Sequence, residues 1–223
     1  MSDFTVLVLA KAPVPGRAKT RLGVDVGHDA AARVAAAALL DTLDAATRAV
    51  GPDHCVLALE GDLADGVAGP EIEAALTGWT VVPQADGDFD ARLVQAHRDA
   101  GDGVVVQVAM DTPQITPQLL ADAAAGVREG PGGADAVLGP APDGGWWVLA
   151  RRGPRVAEAL TGVPMSTPTT YADTRRALER AGHRVTDTVS LMDVDTVGEA
   201  DTVAAQAPDT RFARTWTSLR GAR

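Results

Sequence analysis

Gly103-Val104-Val105-Val106-Gln107-Val108-Ala109, followed by Met110-Asp111-Thr112-Pro113, is the stretch from which the fold can be read. Its four valines give a run of continuous rather than alternating apolar character. That pattern implies a strand buried on both faces, as in a parallel sheet. Similar but weaker β-type runs lie on either side: Phe4–Ala10, His54–Leu59 and Thr80–Val82 upstream, and Ala136–Leu138, Trp146–Leu149 and Val185–Val189 downstream. Helical stretches separate them, at Asp29–Val50, Ile72–Leu76, Phe89–Ala100, Pro117–Arg128, Tyr171–Ala181 and Val197–Ala205. In the longest, Ala35, Ala38, Leu39 and Leu43 share one face, and its many alanines suit close packing on a sheet. Strands alternating with helices predict an α/β fold, a mostly parallel sheet with helices on both faces. Gly130-Pro131-Gly132-Gly133 reads as a surface loop. No linker forces a split, so residues 1–205 are expected to form one domain, with 206–223 a C-terminal tail of no clear pattern. The Phe212–Trp216 part of that tail would pack on the domain or on a second copy of the chain, which leaves a homodimer open.

Composition narrows the function. The chain has 223 residues, 46% of them hydrophobic, enough for a sizeable core. A formal charge of −10 argues against general nucleic-acid binding, which needs a basic surface, but leaves room for a local cationic patch that binds a nucleotide. The single cysteine, Cys55, rules out an internal disulfide and sits in an apolar run as a core residue. The Met1-Ser2-Asp3-Phe4 start lacks the basic residues and long apolar segment of a secretory leader, and no window approaches a membrane span. A cytoplasmic location, away from membranes, is therefore expected.

In open α/β sheets ligands bind beyond the carboxyl ends of the strands. After the first strand comes Lys11-Ala-Pro-Val-Pro-Gly16-Arg17-Ala-Lys19-Thr-Arg21, with four cations in eleven residues of an acidic chain. Only two lysines occur in the sequence, and both are here, which points to a need for a compact ammonium rather than a planar guanidinium. Pro13, Pro15 and Gly16 stiffen and turn the loop. Such a loop suits a polyphosphate held by point charges and backbone N–H groups. It is not a P-loop, since Gly16 and Lys19 are not adjacent and no earlier glycine has the required spacing.

After the strongest strand, Asp111 has no evident structural task, because Thr116-Pro117 already starts the next helix. In Asp193-Val194-Asp195-Thr196, Thr196 and Glu199 form a capping box, and the two aspartates alternate along extended chain, so both side chains face one way. Like charges on one face repel unless a cation joins them. Asp111, Asp193 and Asp195 are therefore candidate ligands for Mg²⁺ or Mn²⁺; the competing reading is that one of the pair caps or forms a salt bridge. Gly139-Pro-Ala-Pro-Asp143-Gly144-Gly145-Trp146-Trp147 fits a plain hairpin turn and a close ligand approach with an aromatic wall equally well. Asp88 or Asp90 is a candidate N-cap of the helix that follows. The four histidines, His28, His54, His97 and His183, show no ligand spacing and are expected at the solvent or at caps.

Taken together, these segments resemble a known group. Leu9–Leu22, Met110-Asp-Thr-Pro113, Leu138–Trp147, Ser166-Thr-Pro168 and Asp193-Val-Asp-Thr196 are similar, in order, to motifs of bacterial cofC-like, radical-SAM/selenodomain-associated transferases. That glycosyltransferase-A-type family is related to phospholactate and phosphoenolpyruvate guanylyltransferases. Departures occur at Gly87-Asp-Phe-Asp-Ala-Arg92, where Asp90 replaces a glycine, at Met110, where a small residue is common, and at Met165, where Trp is usual. They bear on donor and acceptor identity more than on fold.

The resemblance implies a nucleotide-diphospho-sugar transferase (GT-A, Rossmann-like) fold. It implies that Lys11, Gly16, Arg17, Lys19 and Arg21 cradle the nucleotide's phosphates and that the three aspartates hold the metal. Asp111, Lys19 and Asp143 are then the catalytic candidates, and Gly144, Gly145, Trp146, Ser166 and Thr167 the substrate contacts. The leading expectation is a metal-dependent glycosyltransferase joining a nucleotide sugar to a small-molecule acceptor. Its rival is a nucleotidyltransferase in which a small phosphorylated acid attacks an NTP and pyrophosphate leaves. A nucleotide-binding regulator without turnover is the third.

Overall fold

The computed structural model describes residues 4–128, 130 and 133–221. Met1–Asp3, the Pro131-Gly132 centre of the expected Gly130–Gly133 loop, and the last two residues of the expected tail lie outside that range. The first three strands are β1 (Phe4–Lys11), β2 (Cys55–Glu60) and β3 (Thr80–Pro83). They are followed by β4 (Val104–Ala109), β5 (Ala136–Pro140), β6 (Trp146–Arg152) and β7 (Val185–Asp187). These form one sheet in the order β3-β2-β1-β4-β6-β5-β7. All neighbours are parallel except β6, which is antiparallel to both β4 and β5.

The expected alternation of strands and helices holds. On one face, α2 (His28–Val50), α3 (Gly69–Ala75) and α5 (Pro117–Gly126) cover the sheet. There Leu39, Leu43 and Leu120 meet Val6, Val8, Val106 and Val108 in one core. On the other, α4 (Phe89–Asp99), α6 (Pro154–Glu158) and α7 (Thr170–Arg180) bring Leu93, Val156 and Leu178 into the core that holds Leu7, Leu9, Val105 and Leu149. Strands covered on both sides must be apolar throughout, and Val6, Leu7 and Val8 are wholly inaccessible, each burial stabilising by about 2 kcal/mol. Cys55 is buried as expected, and burial pushes its thiol up to about 12.

Three helices were not legible in the sequence. The seven-residue α1 (Thr20–Val26) follows the cationic loop, and the five-residue α6 follows Gly153. The supposedly patternless tail contains α9 (Arg211–Gly221), packed on α2 and on α8 (Val197–Gln206) through Phe212, Ala213 and Trp216. Its N-terminus is capped from far away: Asp41 on α2 accepts the N–H groups of Arg211 (3.0 Å) and Phe212 (2.8 Å). Thr210 adds a local cap, accepting the Ala213 N–H at 3.0 Å, which the sequence reading passed over. Local caps read from sequence do form: Thr116 accepts from Leu119, and Thr196 and Glu199 close a capping box. Asp88 is the N-cap residue of α4 but bonds no helix N–H, while Asp90 accepts from Gly162 (2.6 Å). The expectation for His97 fails outright. Exposed to neither solvent nor a cap position, it is completely buried under β4 and β6, where Arg151 covers it. No described helix is long and apolar enough to cross a membrane.

Candidate functional site

The carboxyl edge of the parallel strands gathers the residues singled out above. β1 and β4 are neighbours in register, Leu9 beside Ala109, so the Lys11–Arg21 loop and Asp111 leave the sheet side by side. Because β6 runs antiparallel, its start rather than its end lies on this edge. The Asp143–Trp146 turn thereby joins the same site. That turn is a hairpin connection, with Ala141 and Gly145 bonded across it (2.9 Å), and it also lines a cleft, so both readings of it hold. The segment after β7 completes the edge: the Val194 N–H donates to the Asp111 carbonyl (3.0 Å). Val194 is buried, so the alternation sends Asp193 and Asp195 to the other side, toward Asp111.

Two contiguous clefts open here, of about 400 and 380 Å³. They meet at Leu9, Arg21, Phe89, Asp111, Ser166 and Asp195. The smaller is lined by Lys11, Arg17, Lys19 and Arg21. The larger is lined by Asp143, Gly145, Trp146, Thr167 and Asp193, with Gln107 at its floor. Gly16 (φ 77°) turns the cationic loop but does not border either cleft. Gly144 also stands back. At φ 92° it lies so close to Pro168 that a Cβ there would sit 2.0 Å from the Pro168 carbonyl oxygen. Its carbonyl accepts the Tyr171 N–H (2.8 Å), which locks the 143–145 turn to the 166–168 loop.

Lys19 has an unexpected position. It is one of few described non-glycine residues with left-handed backbone (φ 48°), and its side chain is only 9% exposed. Its ammonium lies between Asp111 (2.8 Å) and Asp195 (2.6 Å), and Arg21 reaches the other Asp195 oxygen at 3.2 Å. Burial alone would lower its pKa, but the attraction of Asp111 and then Asp195 prevails and holds the charge well above the ordinary lysine range. Lys11 pairs with Glu60 (3.2 Å). Asp195 is opposed by burial but held below its usual value by Lys19 and Arg21. Asp193, which Lys19 does not bond, moves the other way: burial, and then the charges of Asp111, Asp143 and Asp195, push it up to about 7. The cluster thus carries more negative charge than its cations neutralise.

Asp111, Asp193 and Asp195 each offer one carboxylate oxygen within 4.8 Å of the others. Hard oxygen donors so grouped fit Mg²⁺ or Mn²⁺. Beside them, Oγ1 of the buried Thr112, which lines the larger cleft, has no hydrogen-bond partner. The sequence reading missed several cleft residues: Gln107, Phe89, Leu93, Met165 and, in the smaller cleft, Gln84. Gln107 did give a signal, as the one polar residue inside the strongest apolar run.

Residues 39–167 match the sequence profile of the family DUF2064, described as an uncharacterized protein conserved in bacteria. No curated protein matches the chain. Among solved structures, one from Desulfovibrio desulfuricans G20, provisionally named a nucleotide-diphospho-sugar transferase, is 27% identical. It superposes with a TM-score of 0.81, covering 99% of this chain and 95% of that one. A cytidylyltransferase from Leptospira borgpetersenii shares the fold at 12% identity, TM-score 0.62, covering 100% and 94%. A Mycobacterium tuberculosis protein in complex with manganese does so at 22% identity, TM-score 0.50, covering 91% and 98%. The fold is that of nucleotide-diphospho-sugar transferases and nucleotidyltransferases.

Proposed function

The chain belongs to the DUF2064 family, and on that premise we propose that it is a metal-dependent glycosyltransferase using a nucleotide-sugar donor. The observation that carries this reading is the uneven charge of two joined clefts that share Arg21, Asp111 and Asp195. Lys11, Arg17, Lys19 and Arg21 border the smaller one and suit a nucleoside diphosphate. Around the larger, Asp111, Asp143, Asp193 and Asp195 face a single guanidinium, that of Arg21. With the other three holding the metal, Asp143 is the acid left on the acceptor side, where it favours an uncharged hydroxyl over a phosphorylated or carboxylic group. This disfavours transfer of a nucleotidyl group onto a phosphorylated acid. The likeness to the Desulfovibrio protein and the ordered motifs shared with cofC-like transferases support the same assignment.

In this reading Asp111, Asp193 and Asp195 hold Mg²⁺ or Mn²⁺, which supplies charge neutralisation for the departing diphosphate. Lys19 and Arg21 add donors on the phosphate side. An acceptor O–H attacks the anomeric carbon as the bond from that carbon to the diphosphate oxygen breaks. Asp143, on the turn that borders the larger cleft, takes the acceptor's proton. Ser166 and Thr167, with Gly145 and Trp146, line the larger cleft, where the reacting groups would lie.

A thermal-shift screen of NTPs, nucleoside diphosphates and nucleotide sugars, each with and without Mn²⁺ or Mg²⁺, tests the reading. The expected result is a metal-dependent rise with one nucleotide sugar and, on turnover, release of the nucleoside diphosphate. Stabilisation by an NTP alone, with pyrophosphate released, would replace it with nucleotidyl transfer. Binding without turnover across varied acceptors would make the protein a nucleotide sensor.

A further inference from the structure

We propose that Gln107, a buried amide lining the larger cleft beside the His97–Arg151 pair, recognises the sugar of the donor. The inference rests on the nucleotide-sugar reading and identifies the residue that would read the transferred group.

Gln107 is 2% exposed, yet it borders the larger cleft with Leu9, Leu93, Phe89, Ala109 and Trp146. A buried amide is costly unless its polar atoms are bonded, so a polar residue in the centre of the most apolar strand requires a partner. The protein supplies one only in part. Arg151 is fully buried and donates to the carbonyls of His97, Gly101 (2.9 Å) and Gly103 (3.0 Å). Its Nε also donates to Nδ1 of His97 at 3.3 Å. A guanidinium has no acceptor, so Nδ1 must be the unprotonated nitrogen and the ring proton sits on Nε2. Gln107 is a further polar neighbour of the ring. No hydrogen bond joins them: Nε2 of His97 and Oε1 of Gln107 are both buried without a partner. Oε1 is thus closed off inside the protein, whereas the amide N–H₂ is not among the buried unpartnered atoms of this cleft-lining residue.

The surroundings identify the ligand class. Phe89 and Trp146 offer aromatic faces, Leu9 and Leu93 apolar walls, and Gln107 is the neutral polar group at the floor. Apolar and aromatic walls with a few hydrogen-bonding groups, here Gln107 and the unpartnered Thr112 hydroxyl among them, suit an uncharged hydroxylated ring. The phosphates belong with Lys11, Arg17 and Lys19 in the neighbouring cleft.

The test compares dissociation constants, in Mn²⁺, of UDP and GDP with those of UDP-glucose and GDP-mannose, for the wild type and Gln107→Met. The expected result is a roughly tenfold loss of affinity for the sugar nucleotide that the wild type prefers, with the matching nucleoside diphosphate unaffected. If the Met variant does not fold, Gln107→Asn, which keeps the amide but draws it back from the cleft, should show the same split. Unchanged sugar-nucleotide affinity, or equal losses for both ligands, would overturn the role of Gln107 and leave the proposed function standing. A wild type that binds neither nucleoside diphosphates nor sugar nucleotides would overturn both.

Discussion

Just beyond the end of β4, three carboxylates crowd around one buried ammonium; midway along the same strand, a guanidinium, an imidazole and an amide are sealed between sheet and helix. In the first cluster Asp195 is held down by Lys19 while Asp193 is pushed up to about 7, so charge is left unbalanced and a divalent cation would complete it. In the second, backbone carbonyls rather than a contacting carboxylate hold Arg151, and His97 stays neutral. The difference shows two uses of buried polarity. Open charge at a strand end invites a ligand, whereas a closed network fixes geometry and exposes at most one donor.

The largest effect should come from the open cluster. Asp111→Ala removes a proposed metal ligand and a partner of Lys19, and turnover should fall roughly a thousandfold, about 4 kcal/mol in the transition state. The melting temperature without metal should shift far less than the activity. Retained metal-dependent turnover would dissolve the contrast between the two clusters.

The closed cluster should respond in the opposite manner. Arg151→Met strands the carbonyls of His97, Gly101 and Gly103, and urea denaturation should show a loss of about 3 kcal/mol. A change near zero would mean that the network is dispensable for the fold.

The smallest effect is one of pH. Burial, and then the charge of Arg151, lower His97 from its ordinary 6.5 to about 3. Below pH 6.5 the unfolded chain takes up a proton that the native ring refuses, so this contribution is full above 6.5 and is lost as pH falls toward 3. Between pH 8 and pH 5 the loss should be about 2 kcal/mol. The check is the acid limb of stability in wild type and in His97→Gln, where it should flatten. An identical slope in both would place the acid sensitivity elsewhere.

Local patterns in the sequence determined a good deal of this protein. Continuous apolar runs marked the central strands β1 and β4, because a chain buried on both faces cannot tolerate alternation. Thr116-Pro117 and Thr196 with Glu199 marked helix starts, because those hydrogen bonds close within four residues. The alternation around Val194 put Asp193 and Asp195 on one side, and the position of Asp111 after the strongest strand put it at the ligand-binding edge.

Only the tertiary structure decided the rest. The antiparallel insertion of β6 brings Asp143 and Trp146 to the edge occupied by Asp111, and nothing in the short run Trp146–Leu149 specifies its direction. Thr210 was a local start signal for Arg211–Gly221, but the cap from Asp41, 170 positions away, was not legible. His97 looked like a surface residue on a polar helix until Arg151 arrived from β6 to cover it. Lys19 was legible as a cation, but its place between Asp111 and Asp195 was not. Periodicity and capping record forces that act between near neighbours in the chain. Strand order, charge convergence and the burial of Gln107 beside His97 arise from contacts between distant segments, which exist only once the sheet has assembled.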